Sequence, residues 1–170
     1  MPTRHHSTAA PRLGFIATAA ALAALAAVAF LLLRPGAGNA AQSSGAMFST
    51  AKTSLGRILV NSSGRTLYLF GKDKNGKSSC SGMCASFWPP LITTGKPRAG
   101  TGAKASLLGT TKRADGRVQV TYNHHPLYTF KKDTKKGQTN GEGLSAFGAT
   151  WYAVSPAGAR VVKSGGGGGY

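Results

Sequence analysis

One octapeptide is written twice in this chain, as TLYLFGKD at residues 66–73 and as PLYTFKKD at 126–133. The copies share Leu67 and Leu127, Tyr68 and Tyr128, Phe70 and Phe130, and Asp73 and Asp133, with a basic residue just before each Asp. The chain has only four acidic residues among 170, so half of its carboxylates hold one place in a repeated unit. The likeness extends outward. Leu55-Gly56 precedes the first copy, and Leu108-Gly109 opens the approach to the second; Trp88 follows Asp73 by 15 residues and Trp151 follows Asp133 by 18. Each half reads Leu-Gly, hairpin, Tyr-x-Phe-x-x-Asp, loop, Trp. Two copies are too few for a solenoid, whose units cover one another's faces in long stacks. They suit one compact pseudo-symmetric domain in which neither half folds alone.

The segments between the punctuating residues are strand-like. RILVNSSGRTLYLF holds two β-rich runs around Asn61-Ser62-Ser63-Gly64 and reads as a hairpin. LLGTTKRADGRVQVTYN repeats the scheme, with Asp115-Gly116 as the turn signal. NHHPLYTF makes another tight reversal into the second Tyr-x-Phe strand, and ATWYAVSPAGARVV reads as a last hairpin turning at residues 155–158. SGMCASFW, residues 81–88, is the exception: it suits a short helix stopped by Pro89-Pro90. The expected fold is mainly β, a two-repeat antiparallel domain with one short helix near the cysteines. The repeats span about 55–92 and 108–155 within a domain at 51–163.

Four stretches together, LGRILVNSSGRTLYLFGKD, CSGMCASFWPPL, ASLLGTTKRADGRVQVTYNHHPLYTFKKD and NGEGLSAFGATWYAVSPAG, resemble a family of secreted bacterial repeat proteins. Many of these are lipoproteins, marked by a Tyr-x-(Phe/Trp/Tyr)-x-x-Asp motif, and the family has no established function. The resemblance covers residues 55–158 and implies an exported β domain. Two departures matter. No Cys lies near residue 40 to carry a lipid, and the turn Asn123-His124-His125-Pro126 has His124 where relatives usually have Gly.

Ahead of the domain, Leu13–Leu33 is uncharged and almost wholly apolar, with Arg4 and Arg12 before it in an n-region at 1–12. At about 1.5 Å per residue, 21 helical residues reach roughly 30 Å, a bilayer's hydrocarbon thickness. A retained membrane anchor and a signal peptide cleaved after Gly38-Asn39-Ala40 both fit, and both export the remainder of the chain. Residues 34–50 read as a flexible linker and the glycine tail at 164–170 as disordered.

Of the 21 basic residues, three precede residue 41, while all four acids lie beyond it, leaving 18 − 4 = +14 on the exported part. Such a charge attracts polyanions: anionic cell-wall polymers, lipid head groups or nucleic acid. It also serves plain solubility. Lys131, Lys132, Lys135 and Lys136 form the densest cluster, around Asp133. No nucleic-acid-binding motif accompanies it, so specific reading of bases is not expected.

Side chains alternate along a strand, so Tyr68 and Phe70 share one face and Leu67 and Leu69 the other; Tyr128 and Phe130 follow suit. Core packing accounts for these aromatics, and a Tyr-lined groove for an apolar or quinone-like ligand is the rival. Asp73 and Asp133 fall just past the strand ends, where a carboxylate accepts backbone N–H groups and fixes the turn. A hydrolase would need both in one cleft with one pKa raised, and the neighbouring lysines favour two ionised carboxylates. No nucleophile-elbow or phosphate-loop signature is present, so no catalytic residue and no cofactor is assigned. Cys80 and Cys84, the only cysteines, suit a disulfide in an exported protein, since helical i, i+4 spacing brings Cα atoms to about 6 Å. The alternative is a copper site made of Cys80, Met83, Cys84 and the turn histidines His124 and His125.

Overall fold

The computed structural model describes residues 45–161. The apolar segment, the N-terminal part of the linker and the glycine tail lie outside the described residues. Nine short strands dominate: β1 (Met47–Thr53), β2 (Gly56–Asn61), β3 (Tyr68–Phe70), β4 (Arg98–Ala99), β5 (Leu108–Lys112), β6 (Val118–Tyr122), β7 (His125–Pro126), β8 (Ser145–Ala146) and β9 (Ala149–Ala153). Among the described residues one α-helix, α1 (Met83–Phe87), comes after β3, and a 3-10 turn covers Ala105–Leu107. The fold is mainly β, as the alternating apolar pattern requires.

The strands form three sheets of three, ordered β2-β1-β4, β3-β9-β8 and β5-β6-β7. Pairing is antiparallel except for the two-residue parallel contact of β1 with β4. The hairpin at Asp115-Gly116 forms as expected, with Leu108 opposite Tyr122. So does the closing turn, where Val154 bridges Arg160.

Two expectations need correction. The domain begins earlier than residue 51. β1 starts at Met47, inside the segment read as linker, because Phe48 is wholly buried against Tyr122 with ring centroids 5.5 Å apart. The first hairpin is also shorter than read. β2 gives its long edge to β1 over six residue pairs and keeps only a bridge from Val60 to Thr66 beyond the turn. The second Tyr-x-Phe segment likewise lies outside the regular strands, with Tyr128 bridging Tyr68 and Pro90 singly.

The linear order conceals how the strands then pair. The end of each repeat crosses to the other. β9, from the second repeat, pairs with β3 of the first, placing Phe70 opposite Trp151. The chain after Trp88, from the first repeat, lies against the second: Ile92 bridges Gln119, and Thr129 N–H donates to the Pro89 carbonyl at 2.9 Å. At the crossing, three backbones close a ring of hydrogen bonds. Leu59 N–H donates to the Val154 carbonyl, Val154 N–H to Leu67, and Leu67 N–H to Leu59, at 2.8, 3.1 and 3.0 Å. The other half repeats the ring with Val120 to Leu91, Leu91 to Leu127 and Leu127 to Val120, at 2.9, 2.8 and 3.0 Å. Each ring takes two members from one repeat and the third from its counterpart.

The β3 segment is buried on both faces, so its alternation serves two cores. Tyr68, Phe70, Tyr128, Phe130, Trp88 and Trp151 line one; Leu67, Leu69, Leu127, Leu59, Val120 and Phe48 belong to the other. The aromatics that the motif repeats are core residues, every one at most 5 % exposed.

Candidate functional site

The two motif copies meet where the repeats cross. Tyr68 and Tyr128 exchange backbone bonds, each N–H donating to the other's carbonyl at 2.8 and 3.0 Å. Their rings lead into a stack of four. Trp88 and Trp151 lie face to face, 3.9 Å apart and 2° from parallel; Phe70 covers the outer face of Trp151 at 4.0 Å and Phe130 that of Trp88 at 4.2 Å. Tyr68 meets Trp88 edge-on at 5.4 Å and Tyr128 meets Trp151 edge-on at 5.1 Å. Offset and edge-to-face contacts of this kind add about 0.5–1.5 kcal/mol per pair beyond burial. Trp88 therefore sits in the core beside the Tyr-x-Phe segments.

The hydroxyls then reach across. Tyr68 donates to Asp133 Oδ2 at 2.6 Å, and Tyr128 donates to Asp73 Oδ2 at 2.7 Å. The tyrosine of each copy serves the aspartate of the other. The remaining carboxylate oxygens do what turn chemistry asks: Asp73 Oδ1 accepts from Ser79 N–H at 2.7 Å and Ser79 Oγ at 2.8 Å, and Asp133 Oδ1 accepts from Asn140 N–H at 2.9 Å. The turn-fixing reading of Asp73 and Asp133 thus describes one oxygen of each. The other oxygen ties the repeats together.

Electrostatics are set by this geometry. Burial raises the pKa of Asp73 and of Asp133, opposed by the hydrogen bonds they accept. The flanking lysines are solvent-exposed, while the Arg113 charge favours the ionised form of Asp73 and the Arg65 charge that of Asp133. Burial first, and then the aspartate partners, push both tyrosine hydroxyls far above their ordinary 10.0. His125, lowered by burial, feels Asp73. Residues 65 and 125 each stand three places before a motif tyrosine, so Arg65 and His125 are counterparts facing the opposite repeat's carboxylate.

Several residues at this centre carried no sequence signal. Arg113 is buried and donates to Ser78 Oγ, Gln119 Oε1 and the Cys80 carbonyl, each at 2.7 Å, and more weakly to Asp115 at 3.2 Å. Ser78 Oγ also lies 2.8 Å from the Tyr128 hydroxyl. Gly141 N–H donates to the Tyr68 oxygen at 3.2 Å, and a Cβ built on Gly141 would lie 2.8 Å from Trp88 Cη2. Only the offset of 60 between the copies could have pointed to Arg65.

Cys80 and Cys84 form a disulfide with Cα atoms 5.3 Å apart, at the start of α1 and against the aromatic core. Met83 projects into solvent, His124 is exposed in its turn and His125 is half-buried. Among the described residues no three His, Cys, Asp or Glu side chains are grouped as a metal site. Lys131, Lys132, Lys135 and Lys136 are all exposed.

A family model described as a secreted repeat of unknown function matches this chain twice, over residues 49–92 and 109–155. The chain belongs to that family. The two matches are the two crossed halves, each ending just past its tryptophan, and the family's description makes this an exported domain. No curated protein and no solved structure matches the chain. Among the described residues no helix is long and apolar enough to cross a membrane.

Proposed function

We propose that this secreted-repeat domain is a non-enzymatic binding module of the cell envelope, held at the outer face of the membrane by its N-terminal apolar segment and acting on anionic envelope components. The observation that carries the reading is how charge is distributed. Residues 45–161 hold eleven lysines, every one exposed, and six arginines, four of them exposed. The four carboxylates are few beside them, and each has intramolecular partners, Asp115 at the surface. Asp73 and Asp133 accept the motif tyrosines, Asp115 is held by Arg113 and Arg117, and Glu142 Oε2 accepts the Ala153 N–H at 2.6 Å. Little negative charge offsets the lysines, and the field around the domain favours polyanions.

Two other readings fit less well. A hydrolase using Asp73 and Asp133 would need accessible carboxylates, yet each is engaged by a tyrosine and a loop, and neither lines the clefts between Lys96 and Thr110, between Phe87 and Phe147 or between Ser106 and His124. Thiol exchange or copper handling would require opening a disulfide whose cysteines are 1 % and 7 % exposed.

Binding of the full chain to a poly(glycerol phosphate) polymer, measured across a salt series, tests the proposal. Affinity should fall steeply as salt screens the charges, and Lys131, Lys132, Lys135 and Lys136 changed together to Gln should weaken it. Binding no stronger than to an uncharged polyol of equal length would refute it.

A further inference from the structure

Six large apolar side chains are exposed among the described residues, and four of them gather on one face. Met83 and Phe87 are i, i+4 neighbours on α1 and point the same way. The Phe87 ring lies 6.2 Å from that of Phe147, across a cleft of about 260 Å³ to which Leu144 and the edges of Trp88 and Phe130 also contribute. Met83, Phe87, Leu144 and Phe147 are 73, 40, 40 and 38 % exposed.

Phe147 is unexpected where it stands. The turn between β8 and β9 has positive φ at both central residues, 58° at Phe147 and 91° at Gly148. Asn-Gly is the favoured pair for such a turn, and a bulky side chain there is disfavoured. The left-handed backbone disfavours phenylalanine at this tip, yet Phe147 stands there, 38 % exposed, with its ring beside that of Phe87.

Lysines frame the patch. Lys131 Nζ lies 6.0 Å over the Phe87 ring, Lys132 lines the cleft, and the Lys72 ammonium would be 3.5 Å from a Cβ on Gly148. Lys72 and Lys132 are counterparts, each immediately before its motif Asp, so the patch sits over the crossing of the repeats. Asp133 is buried and Asp73 half-buried, each accepting a tyrosine hydroxyl through one oxygen.

Exposed aromatic and aliphatic side chains ringed by lysines match one kind of partner. The rings enter the boundary between head groups and acyl chains while the ammonium groups meet anionic heads. We propose that this face, with Met83, Phe87, Leu144 and Phe147 inserting and Lys72, Lys131 and Lys132 on its rim, docks the domain onto an anionic lipid bilayer. The inference rests on the envelope-binding reading above and names the bilayer as the partner of one face.

The test uses the full chain, reconstituted into vesicles of phosphatidylcholine alone or mixed with phosphatidylglycerol. Phe147→Trp places a reporter indole at the tip, read against the buried Trp88 and Trp151 of the parent protein. Brominated acyl chains should quench the reporter in the anionic vesicles and leave it bright in phosphatidylcholine. Amide exchange of Leu144–Gly148 in the unsubstituted chain should slow in the anionic vesicles alone. Each of Lys72, Lys131 and Lys132 changed to Gln should weaken docking about fivefold, as expected for a lysine near an anionic surface. Equal quenching in both vesicle types would overturn the role of charge. No quenching and no protection in either type would overturn docking, even where poly(glycerol phosphate) still binds. Loss of polymer binding with quenching intact would sink the polymer reading and leave the docking face standing.

Discussion

The exchange of partners between Tyr68 and Asp133, and between Tyr128 and Asp73, makes a prediction that a turn-capping motif does not. Tyr68→Phe removes only a hydroxyl, but it strips Asp133 Oδ2 of its donor and Gly141 N–H of its acceptor. Asp133 is fully buried, so water cannot replace the bond. A hydrogen bond to an ionised group contributes about 1.5–3 kcal/mol, and we expect Tyr68→Phe to fall in the upper half of that range. Tyr128→Phe should cost less, because Asp73 is partly exposed and keeps Ser79 Oγ and Ser79 N–H on its other oxygen. The decisive measurement is a pair of double-mutant cycles in urea. Tyr68→Phe with Asp133→Ala should show a coupling of about 1–3 kcal/mol, whereas Tyr68→Phe with Asp73→Ala, within one motif copy, should couple by less than about 0.5 kcal/mol. Within-copy coupling as large as the cross-copy value would refute the exchanged pairing. So would a Tyr68→Phe variant that melts like the parent.

Other parts of the same centre give further expected outcomes. Gly141→Ala should destabilise by about 1–3 kcal/mol, the usual cost of overpacking, because its Cβ would meet Trp88 and Tyr68 ring atoms at 2.8–2.9 Å; thermal melting reads it. His124 has φ 65° in a tight turn, so His124→Gly should stabilise by roughly 1 kcal/mol by relieving left-handed strain; a rise in Tm checks it. Cys80→Ala with Cys84→Ala should cost about 2 kcal/mol, the loop-closure value for so short a loop. It should alter the near-ultraviolet signal of the indoles while sparing the β signal, and alkylation of the parent without reductant should add no groups. Stability should fall as pH rises past 10. Unfolded tyrosines release protons there while Tyr68 and Tyr128, with folded pKa values pushed up, retain theirs, so the folded state binds more protons; denaturant midpoints across alkaline pH report it.

The sequence made the repeat, the β class, the disulfide and the buried aromatics readable because each leaves a local trace. A period of 2 places Tyr68 and Phe70 on one face, and Asp-Gly at 115–116 permits few turns. The start of β1 was missed because MFST among Gly, Ala and Ser has too little apolar alternation to outweigh its flexible neighbours. Phe48 joins the core among residues distant in sequence, Tyr122 more than seventy residues away among them. The crossing of the repeats was unreadable for a deeper reason. A Tyr-x-x-x-x-Asp spacing invites an intramotif explanation, while the bond that satisfies each carboxylate has a sequence separation of 65 or 55 residues. Arg113, which carries the Ser78–Cys80 loop, looks in the sequence like one more surface cation beside a turn.

That crossing also bears on why the motif keeps both a tyrosine and an aspartate when the chain has few acids. A buried carboxylate is costly unless donors meet it, and within one copy only the loop oxygen is met. An isolated half would leave one oxygen of Asp73 or Asp133 without its tyrosine donor and one indole face of the stack open to water. A second copy supplies both missing parts at once, the hydroxyl and the facing ring. The backbone rings at Leu59, Leu67 and Val154 and at Val120, Leu127 and Leu91 fix the distance at which it does so. Duplication is then the minimum that satisfies the motif, and with the motif carboxylates turned inward the exposed lysines and arginines far outnumber the surface acids, of which Asp115 is one. The internal pairing of Tyr and Asp and the external excess of positive charge are two consequences of the same arrangement. A variant that frees Asp133 from Tyr68 should therefore weaken polyanion binding only as far as it loosens the fold.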